Sequence, residues 1–209
     1  MFVITADQID SRHDRDRAGD MMAALGARYG DEFALPPDQT SGDEIQMLIT
    51  DPEIALNVIL ILHRSGYWSV GLGIGQVRMP LPASTRQASG EAFIAARNAV
   101  TRAKKADAHV AIEMPTAPQP VLTANQVEAL LAMLLLLRQR RSEEGWEAVD
   151  LLEKGLSQVD IAAMLGISTA AVSQRVKATQ FRVEQTARPA IVRLLENLDR
   201  SSSDKDTRA

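Results

Sequence analysis

Two aspartates occupy positions where carboxylates could bind a metal ion. Asp7 directly follows an apolar segment, and Asp43 lies in a Ser-Gly-Asp-Glu turn before another apolar segment. If these segments are neighbouring antiparallel strands, both carboxylates could reach one divalent cation, as in sites that hold Mg²⁺ with nucleotide phosphates. In the alternative interpretation the two aspartates bind no metal, because a single aspartate at a strand end is more often a turn residue.

A second group of side chains could bind nucleic acid. Residues 168–188 contain four basic side chains against Glu184 alone, a local charge of +3 in a chain of formal net charge −4. Gln174 suits adenine, and small neighbours allow close approach to thymine methyl groups. The side chains expected to face DNA are Ser168, Thr169, Ala170, Ser173, Gln174, Arg175, Lys177 and Arg182, with Arg175, Arg182 and Arg188 on phosphates. The alternative is a helix pair that contacts protein.

The first half of the chain must position the two aspartates. Hydrophobic periodicity predicts strands at 2–6, 33–36, 44–50, 67–75 and 108–113, and helices at 17–29, 52–65 and 88–105. Asp51 is the expected N-cap of the second helix and Pro52 its first residue. The order βαββαβαβ predicts one mostly antiparallel sheet with helices on one or both faces. Asp7 then ends the first strand, and Gly42-Asp43 forms a hairpin.

The second half is predicted to be entirely helical. Three prolines, at 115, 118 and 120, are typical of a short stiff linker and divide the chain into domains 1–116 and 121–198. Helices are predicted at 123–141, with a Thr123 and Gln126 capping box, at 143–154, as a pair within 157–178, and at 181–198. Residues 199–209 are expected to form a disordered tail.

Residues 157–178 have the local signals of two short helices joined by a tight turn. Ser157 and Asp160 can form a capping box, Gly166 permits a left-handed turn conformation, and Ser168 can cap the second helix. Ala162 is small where two helices would cross closely. These offsets resemble the helix-turn-helix of many bacterial regulators.

The N-terminal motifs together resemble class III nucleotide cyclases and, more closely, the SatD family of bacterial proteins. The motifs are Asp7-Gln8-Ile9-Asp10-Ser11-Arg12, Gly42-Asp43-Glu44, Gly71-Leu72-Gly73-Ile74-Gly75 and Gly90-Glu91-Ala92-Phe93 with Arg97. The resemblance covers nearly all of residues 1–198. It implies an α+β protein in which a cyclase-like, ferredoxin-like domain precedes a helix-turn-helix domain. It also implies that Asp7 and Asp43 bind Mg²⁺. The residues it implies for a purine nucleotide, ATP or GTP, are Asp7, Gln8, Ile9, Asp10, Ser11, Arg12, Asp43 and Arg97.

Three positions depart from the cyclase pattern. The lysine that selects the purine is replaced by Gln39, its partner falls at Arg86, and the ribose-binding asparagine falls at Phe93. Such a site keeps metal and phosphate ligands but loses base and ribose ligands. It fits nucleotide binding better than cyclisation, because catalysis requires the 3′-hydroxyl in line with the phosphorus.

Composition excludes several other classes. A chain of 209 residues, 45% of them hydrophobic, can bury one large core or two modest ones, so it is not disordered over most of its length. It contains no cysteine and three scattered histidines, which disfavours a zinc enzyme. No secretory signal is present, and the longest apolar run, 129–137, is too short to span a bilayer. A cytosolic protein without membrane contact is expected.

These features predict a homodimeric transcriptional regulator that binds duplex DNA and uses a nucleotide with Mg²⁺ as its ligand. Helix 123–141 is apolar nearly all round, so part of it is expected to face a second chain. Two alternatives stay open. One is a nucleotidyl cyclase or related phosphoryl-transfer enzyme controlled by the helical domain, and the other is a DNA-binding protein whose cyclase-like domain only dimerises.

Overall fold

The computed structural model describes residues 1–40, 42–115 and 120–203. The fold is mixed α+β, as expected, and the chain divides into two compact units. The first unit comprises Met1–Ala132 together with the residues from Ile191 onward, and the second unit is Met133–Ala190. Among the described residues, no helix combines the length and the apolar character needed to cross a membrane.

The first unit is built on a five-stranded sheet with the strand order β2-β3-β1-β4-β5. The strands are β1 (Phe2–Gln8), β2 (Phe33–Gln39), β3 (Glu44–Ile49), β4 (Trp68–Ile74) and β5 (Val110–Glu113). Neighbours are antiparallel except β4 and β5, which run parallel. The predicted strands and the mostly antiparallel sheet are therefore confirmed.

Three helices lie between these strands: α1 (Ala18–Tyr29), α2 (Pro52–Ser65) and α3 (Glu91–Ala103). The ends of α2 are those predicted, because the Asp51 side chain accepts hydrogen bonds from the backbone N–H groups of Glu53 and Ile54, and Gly66 ends the helix at φ 77°.

Helix α3 lies almost directly on the backbone of β4. A Cβ atom added at Gly71 would be 2.2 Å from the Val100 nitrogen, and one at Gly73 would be 2.1 Å from the Ala92 oxygen. Because no side chain could fit there, these glycines determine how close α3 comes to the sheet. The polar residues of α3 are thereby fixed beside the edge of the sheet.

The predicted linker is not where the two compact units divide. Helix α4 (Ala124–Gln139) begins in the first unit and ends in the second, whereas α8 (Phe181–Ser203) begins in the second and ends in the first. In the first unit, Glu128 of α4 accepts a hydrogen bond from the Ile112 N–H at 2.7 Å, and Asp199 of α8 pairs with the terminal amine. The outer halves of both helices therefore belong to the sheet unit, and Pro118 lies outside the described residues.

The first five residues of the expected disordered tail are helical instead. Helix α8 continues to Ser203, so residues 199–203 are helical. The hydroxyl groups of Ser201 and Ser202 donate hydrogen bonds to the carbonyl oxygens of Asn197 and Asp199, which closes the last turns of the helix. The remainder of the expected tail, 204–209, lies outside the described residues.

The second unit contains the inner ends of α4 and α8, together with α5 (Glu143–Glu153), α6 (Gln158–Leu165) and α7 (Thr169–Ala178). The predicted caps are confirmed. Ser157 and Asp160 form a capping box, Gly166 ends α6 at φ 65°, and Ser168 accepts a hydrogen bond from the Ala171 N–H. The buried residues between the three short helices are Ala148, Ile161, Ala162, Val172 and Val176.

Candidate functional site

The first candidate site lies at one end of two interior strands, where β1 ends and β3 begins. We call this end of the sheet the sheet edge. The strand register places Asp7 opposite Glu44, so both carboxylates lie on the same face. Helix α3 and the residue after it provide their cations. Lys104 Nζ is 2.7 Å from Asp7 Oδ2, and Arg97 Nη2 is 3.6 Å from Glu44 Oε1. The Asp7 and Glu44 side chains are only 18% and 13% exposed, so each partly buried carboxylate has a nearby counter-charge.

The structure places the two predicted metal ligands at the same end of the sheet, but they are not directly opposite each other in the strand register. Asp43 precedes β3 and lies beside Gln8, whose backbone N–H donates to the Asp43 carbonyl at 3.4 Å. The residue opposite Asp7 in the strand register is Glu44, and Asp43 lies in the turn before β3. The described residues include no group of three or more His, Cys, Asp or Glu side chains that could hold a metal ion. The magnesium site formed by Asp7 and Asp43 therefore stays a prediction from the sequence.

The loop after β1 is held by its own contacts rather than open to phosphate. The Gln8 side chain bonds to the backbone of Arg15 and Arg17, at 2.8 and 2.9 Å. The Ile9 N–H donates to the Tyr67 carbonyl at 2.8 Å, so neither this amide nor that of Gln8 is available as a phosphate donor.

The other predicted loop residues lie in the same turn. The Asp10 carboxylate is 2.7 Å from His13 Nδ1, and Ser11 and Arg12 follow it at or near the surface. Arg17 contacts the Asp14 carboxylate and stacks on the Tyr67 ring at 3.5 Å. The loop thus has an internal network that a bound nucleotide would have to replace.

A cleft of about 660 Å³ opens beside the paired carboxylates, and we call it the α3 cleft. Its lining includes Thr40, Glu44, Arg86, Phe93, Arg97 and Lys104. The Thr40 hydroxyl donates to Glu44 Oε1 at 2.6 Å. The Arg86 guanidinium binds Asp38 and holds the pKa of that carboxyl below its usual range. Of the predicted nucleotide ligands outside the loop, only Arg97 lines this cleft.

The three departures from the cyclase pattern have local structural roles. The Gln39 side chain donates to the Gly42 carbonyl across the hairpin, and Arg86 pairs with Asp38. Phe93 is buried in a cluster with Val3, Leu48 and other residues between α3 and the sheet.

Sequence reasoning missed Glu44 and Lys104. Strand alternation could have identified Glu44, because a partner directly opposite Asp7 must share its face. Nothing local indicated Lys104, which reaches Asp7 across 97 positions in the chain.

The second candidate site is the outward face of α7. Val172 and Val176 are buried, whereas the exposed residues are Thr169, Ala170, Ser173, Gln174 and Lys177, followed by Arg182 at the start of α8. Ser168 is also exposed, but its hydroxyl oxygen caps the helix. Arg175 is partly buried and lies 3.2 Å from Glu147 of α5, so this predicted phosphate contact already has an acidic partner.

Some of the charges counted around α7 in the sequence are buried or paired, so the count of +3 does not describe the surface. Glu184, the acidic residue in that count, is fully buried and bound by Arg138 and Arg141 of the second unit. Arg188 lies 3.9 Å from the same carboxylate. Residues 168–182 contain no acidic side chain, so all formal charges on this segment are positive.

A buried arginine cluster supports the end of α7. Arg138, Arg141 and Glu184 are 7%, 1% and 0% exposed, and the Trp146 ring centre is 4.8 and 4.7 Å from the two guanidinium groups. Arg141 Nε donates to the Thr179 carbonyl at 2.9 Å, which anchors the C-terminal end of α7. Burial lowers the pKa of Arg138 to about 10. Arg138 Nε and Arg141 Nη1 are buried without a hydrogen-bond partner among the described residues.

Comparisons of the chain with protein-family models, with curated proteins and with solved structures find no significant match. The resemblance to the SatD family and to the cyclases therefore stays a prediction from the motifs. The functional inference depends on the geometry of the two sites.

Proposed function

We propose that the protein is a DNA-binding transcriptional regulator in which α7 enters the major groove of duplex DNA. The observation that carries this proposal is the outward face of α7. It combines small and amide side chains with Lys177 and Arg182, and it has no carboxylate between residues 168 and 182. Small residues allow close approach to base edges, and cations neutralise phosphates.

The way α7 is held also supports base readout. Its inner face packs on Ala148, Ile161 and Ala162, the Ser168 hydroxyl fixes its first turn, and Arg141 holds the carbonyl of Thr179 at its end. A helix fixed at both ends presents its side chains in one geometry, which base-specific hydrogen bonds require. In this arrangement Gln174 is the residue that reads a base, and adenine is its preferred partner.

The α3 cleft is the proposed site for a nucleotide ligand. Arg97 and Lys104 reach into it from α3 and the residue after it, and phosphate oxygens could replace Glu44 and Asp7 as their partners. The proposal includes no metal-dependent step, because the residue opposite Asp7 in the strand register is Glu44 and not Asp43. The cyclase alternative is less well supported, because the positions that bind base and ribose in cyclases hold Gln39, Arg86 and Phe93.

We further propose that the regulator is a homodimer. In α4, Leu130 and Met133 are 42% and 69% exposed, although Leu131, Leu134 and Leu135 on other sides of the helix are buried. Two copies would present two α7 helices to a symmetric site on DNA. A monomer by light scattering at micromolar concentration would contradict this part of the proposal.

The DNA-binding proposal is tested by selecting duplexes from a random-sequence pool on the purified protein and measuring their affinity by fluorescence anisotropy. We expect a sequence to be enriched, and Gln174→Ala to weaken its binding by about 1 to 3 kcal/mol with little effect on random duplex. Gln185→Ala, which removes an exposed glutamine of α8, is the matched control and should change neither affinity. A pool with no enriched sequence would contradict the proposal.

The nucleotide part is tested by isothermal titration with ATP, GTP and their diphosphates. Lys104→Ala should weaken binding, whereas Lys105→Ala, which removes the adjacent cation outside the cleft lining, should not. Absence of binding to the unmodified protein would contradict the nucleotide site and leave the DNA-binding proposal in place.

A further inference from the structure

Two grooves flank α7, and each contains basic residues. The first, about 550 Å³, lies between α7 and the start of α5, and its lining includes Arg140, Arg141, Gln174 and Arg175. The second, about 330 Å³, lies between α7 and the starts of α6 and α8, and its lining includes Gln158, Ser173, Lys177 and Arg182. We call them the α5 groove and the α8 groove.

The two grooves lie on opposite sides of α7. The α5 groove uses residues 174, 175 and 178 of this helix, and the α8 groove uses 173, 176 and 177. With 3.6 residues per turn, the centres of these two sets are roughly 150° apart around the helix axis. Ala170 falls between the two sets, and Gln174 is the residue of the α5 set that lies next to Ala170. The proposed base-reading face therefore has a basic groove on each side.

This arrangement matches the dimensions of duplex DNA. A helix with its side chains is about 10 to 12 Å wide, and the major groove of B-DNA is about 12 Å wide, so a helix in that groove has one sugar-phosphate backbone on each side. We propose that the α5 groove binds a phosphate of one strand through Arg140, and that the α8 groove binds a phosphate of the other strand through Lys177 and Arg182. This inference rests on the proposed DNA-binding function and adds Arg140, which the sequence analysis did not assign.

The α5 groove has features that favour an anion. Arg140 lines this groove and is exposed, so its guanidinium is accessible to an anion. Arg175 also lines the groove, and its contact with Glu147 is a partly exposed ion pair that phosphate could replace, because such pairs contribute little stability. Gly145 also lines the groove and allows its two helices to lie close together. A Cβ atom there would be 2.9 Å from Thr179 Cγ2, so glycine allows the end of α7 to lie against the start of α5.

One acidic residue, Glu144, also lines the α5 groove. A hydrogen bond from the Ser142 side chain lowers the pKa of Glu144, so its carboxylate already has a hydrogen-bond partner at the start of α5. The α8 groove is lined, within the described chain, by two cations and no carboxylate. The two contacts should therefore differ in strength, with the α8 groove the stronger.

The test measures the salt dependence of binding to a random-sequence duplex. Each phosphate contact contributes about 0.9 to the slope of log K against log salt concentration, so Arg140→Ala should reduce the slope by about one and weaken binding to all duplexes. The matched control is Lys154→Ala, which removes one exposed cation at the opposite end of α5, roughly 17 Å away along the helix, and should leave the slope unchanged. Equal slopes for the two variants would overturn the inference.

Phosphate ethylation interference then assigns the strands. With the unmodified protein, ethylation of a contacted phosphate on either strand should block binding. Arg140→Ala should remove the effect on one strand, and the double substitution of Lys177 and Arg182 by alanine should remove it on the other. Loss on the same strand for both variants would overturn the two-sided arrangement.

The outcomes separate this inference from the proposed function. If the unmodified protein binds no duplex at low salt, the DNA-binding function fails and the groove assignment fails with it. If Gln174→Ala reduces sequence preference but Arg140→Ala behaves like Lys154→Ala, only the groove assignment fails. Circular dichroism should show unchanged helix content in Arg140→Ala, because this side chain is exposed.

Discussion

Carboxylates and cations are paired differently at the sheet edge of the first unit and around α7 in the second unit. At the sheet edge, each partly buried carboxylate has its own cation: Asp7 has Lys104, Glu44 has Arg97 and Asp38 has Arg86. In the second unit, Arg138 and Arg141 share the buried carboxylate of Glu184, and Arg188 lies close to it. The surface segment 168–182 contains no acid, and of its three cations Arg175 is paired with Glu147 of α5, whereas Lys177 and Arg182 line the α8 groove.

The charges at the sheet edge are balanced without a ligand, whereas those in the α8 groove are not. Balanced pairs satisfy their own charges, so an anion entering the α3 cleft must displace carboxylates and gains only the difference between the two sets of contacts. Lys177 and Arg182 line the α8 groove, in which the described residues include no carboxylate, so an anion that binds there displaces none. The charge distribution therefore favours DNA as the partner of the second unit and makes ligand exchange the expected mode of binding in the first.

The largest effect should come from removing the shared carboxylate of the second unit. Glu184→Gln keeps the side-chain volume but leaves two buried guanidinium groups without a counter-charge, so we expect a loss of about 3 to 5 kcal/mol in the free energy of unfolding. Urea denaturation followed by tryptophan fluorescence measures this, because Trp146 contacts Arg138 and Arg141.

Glu44→Gln is the corresponding change at the sheet edge. Arg97 is mostly exposed and can regain water, so the cost should be at most about 1 kcal/mol. Similar costs for the two substitutions would contradict the contrast between shared and paired charges.

A smaller but still clear effect is expected from the glycines that set the position of α3. Gly73→Ala would place a methyl group 2.1 Å from the Ala92 oxygen, so α3 must move and the first unit should lose about 2 to 3 kcal/mol, near the upper end of overpacking costs. Because Arg97 lies on the same helix, nucleotide binding should weaken as well.

Gly26→Ala in α1 is the control for this substitution. No atom lies within 4 Å of the added Cβ, and removing a glycine from a helix interior should stabilise the protein by about 0.5 to 1 kcal/mol. If Gly73→Ala is tolerated as well as Gly26→Ala, the close contact between α3 and β4 does not position the cleft.

The elements that could be predicted from the sequence are those with local causes. Asp51 and Pro52 fixed the start of α2, and Ser157, Gly166 and Ser168 fixed the ends of α6 and the start of α7. Each of these signals acts within four residues through a cap or a turn. The exposed side of α7 followed from the same reasoning, because the buried valines recur one turn apart.

The candidate sites depended on contacts between residues far apart in the chain, which periodicity does not specify. Asp43 was chosen because it lies at a hairpin tip, but strand register selects Glu44 as the neighbour of Asp7. Prolines 115–120 indicated a boundary, yet Glu128 and Asp199 attach the outer halves of α4 and α8 to the first unit. A local charge count also included Glu184 as a surface residue, although it is fully buried.

The smallest predicted effect concerns the pH dependence of the sheet edge. The Arg86 guanidinium lowers the pKa of Asp38, so this pair stabilises the folded state above the unfolded pKa of Asp, about 3.9, and the contribution disappears as the pH falls through the lower folded pKa. Arg86→Gln should raise the pKa of Asp38 toward its usual range, measured by NMR titration of the carboxyl carbon. Its melting temperature should be slightly below that of the unmodified protein at neutral pH, and this difference should shrink as the pH falls below about 4. A difference that stays constant to pH 2 would mean that Arg86 stabilises the hairpin by packing, because a packing contribution does not depend on the ionisation of Asp38.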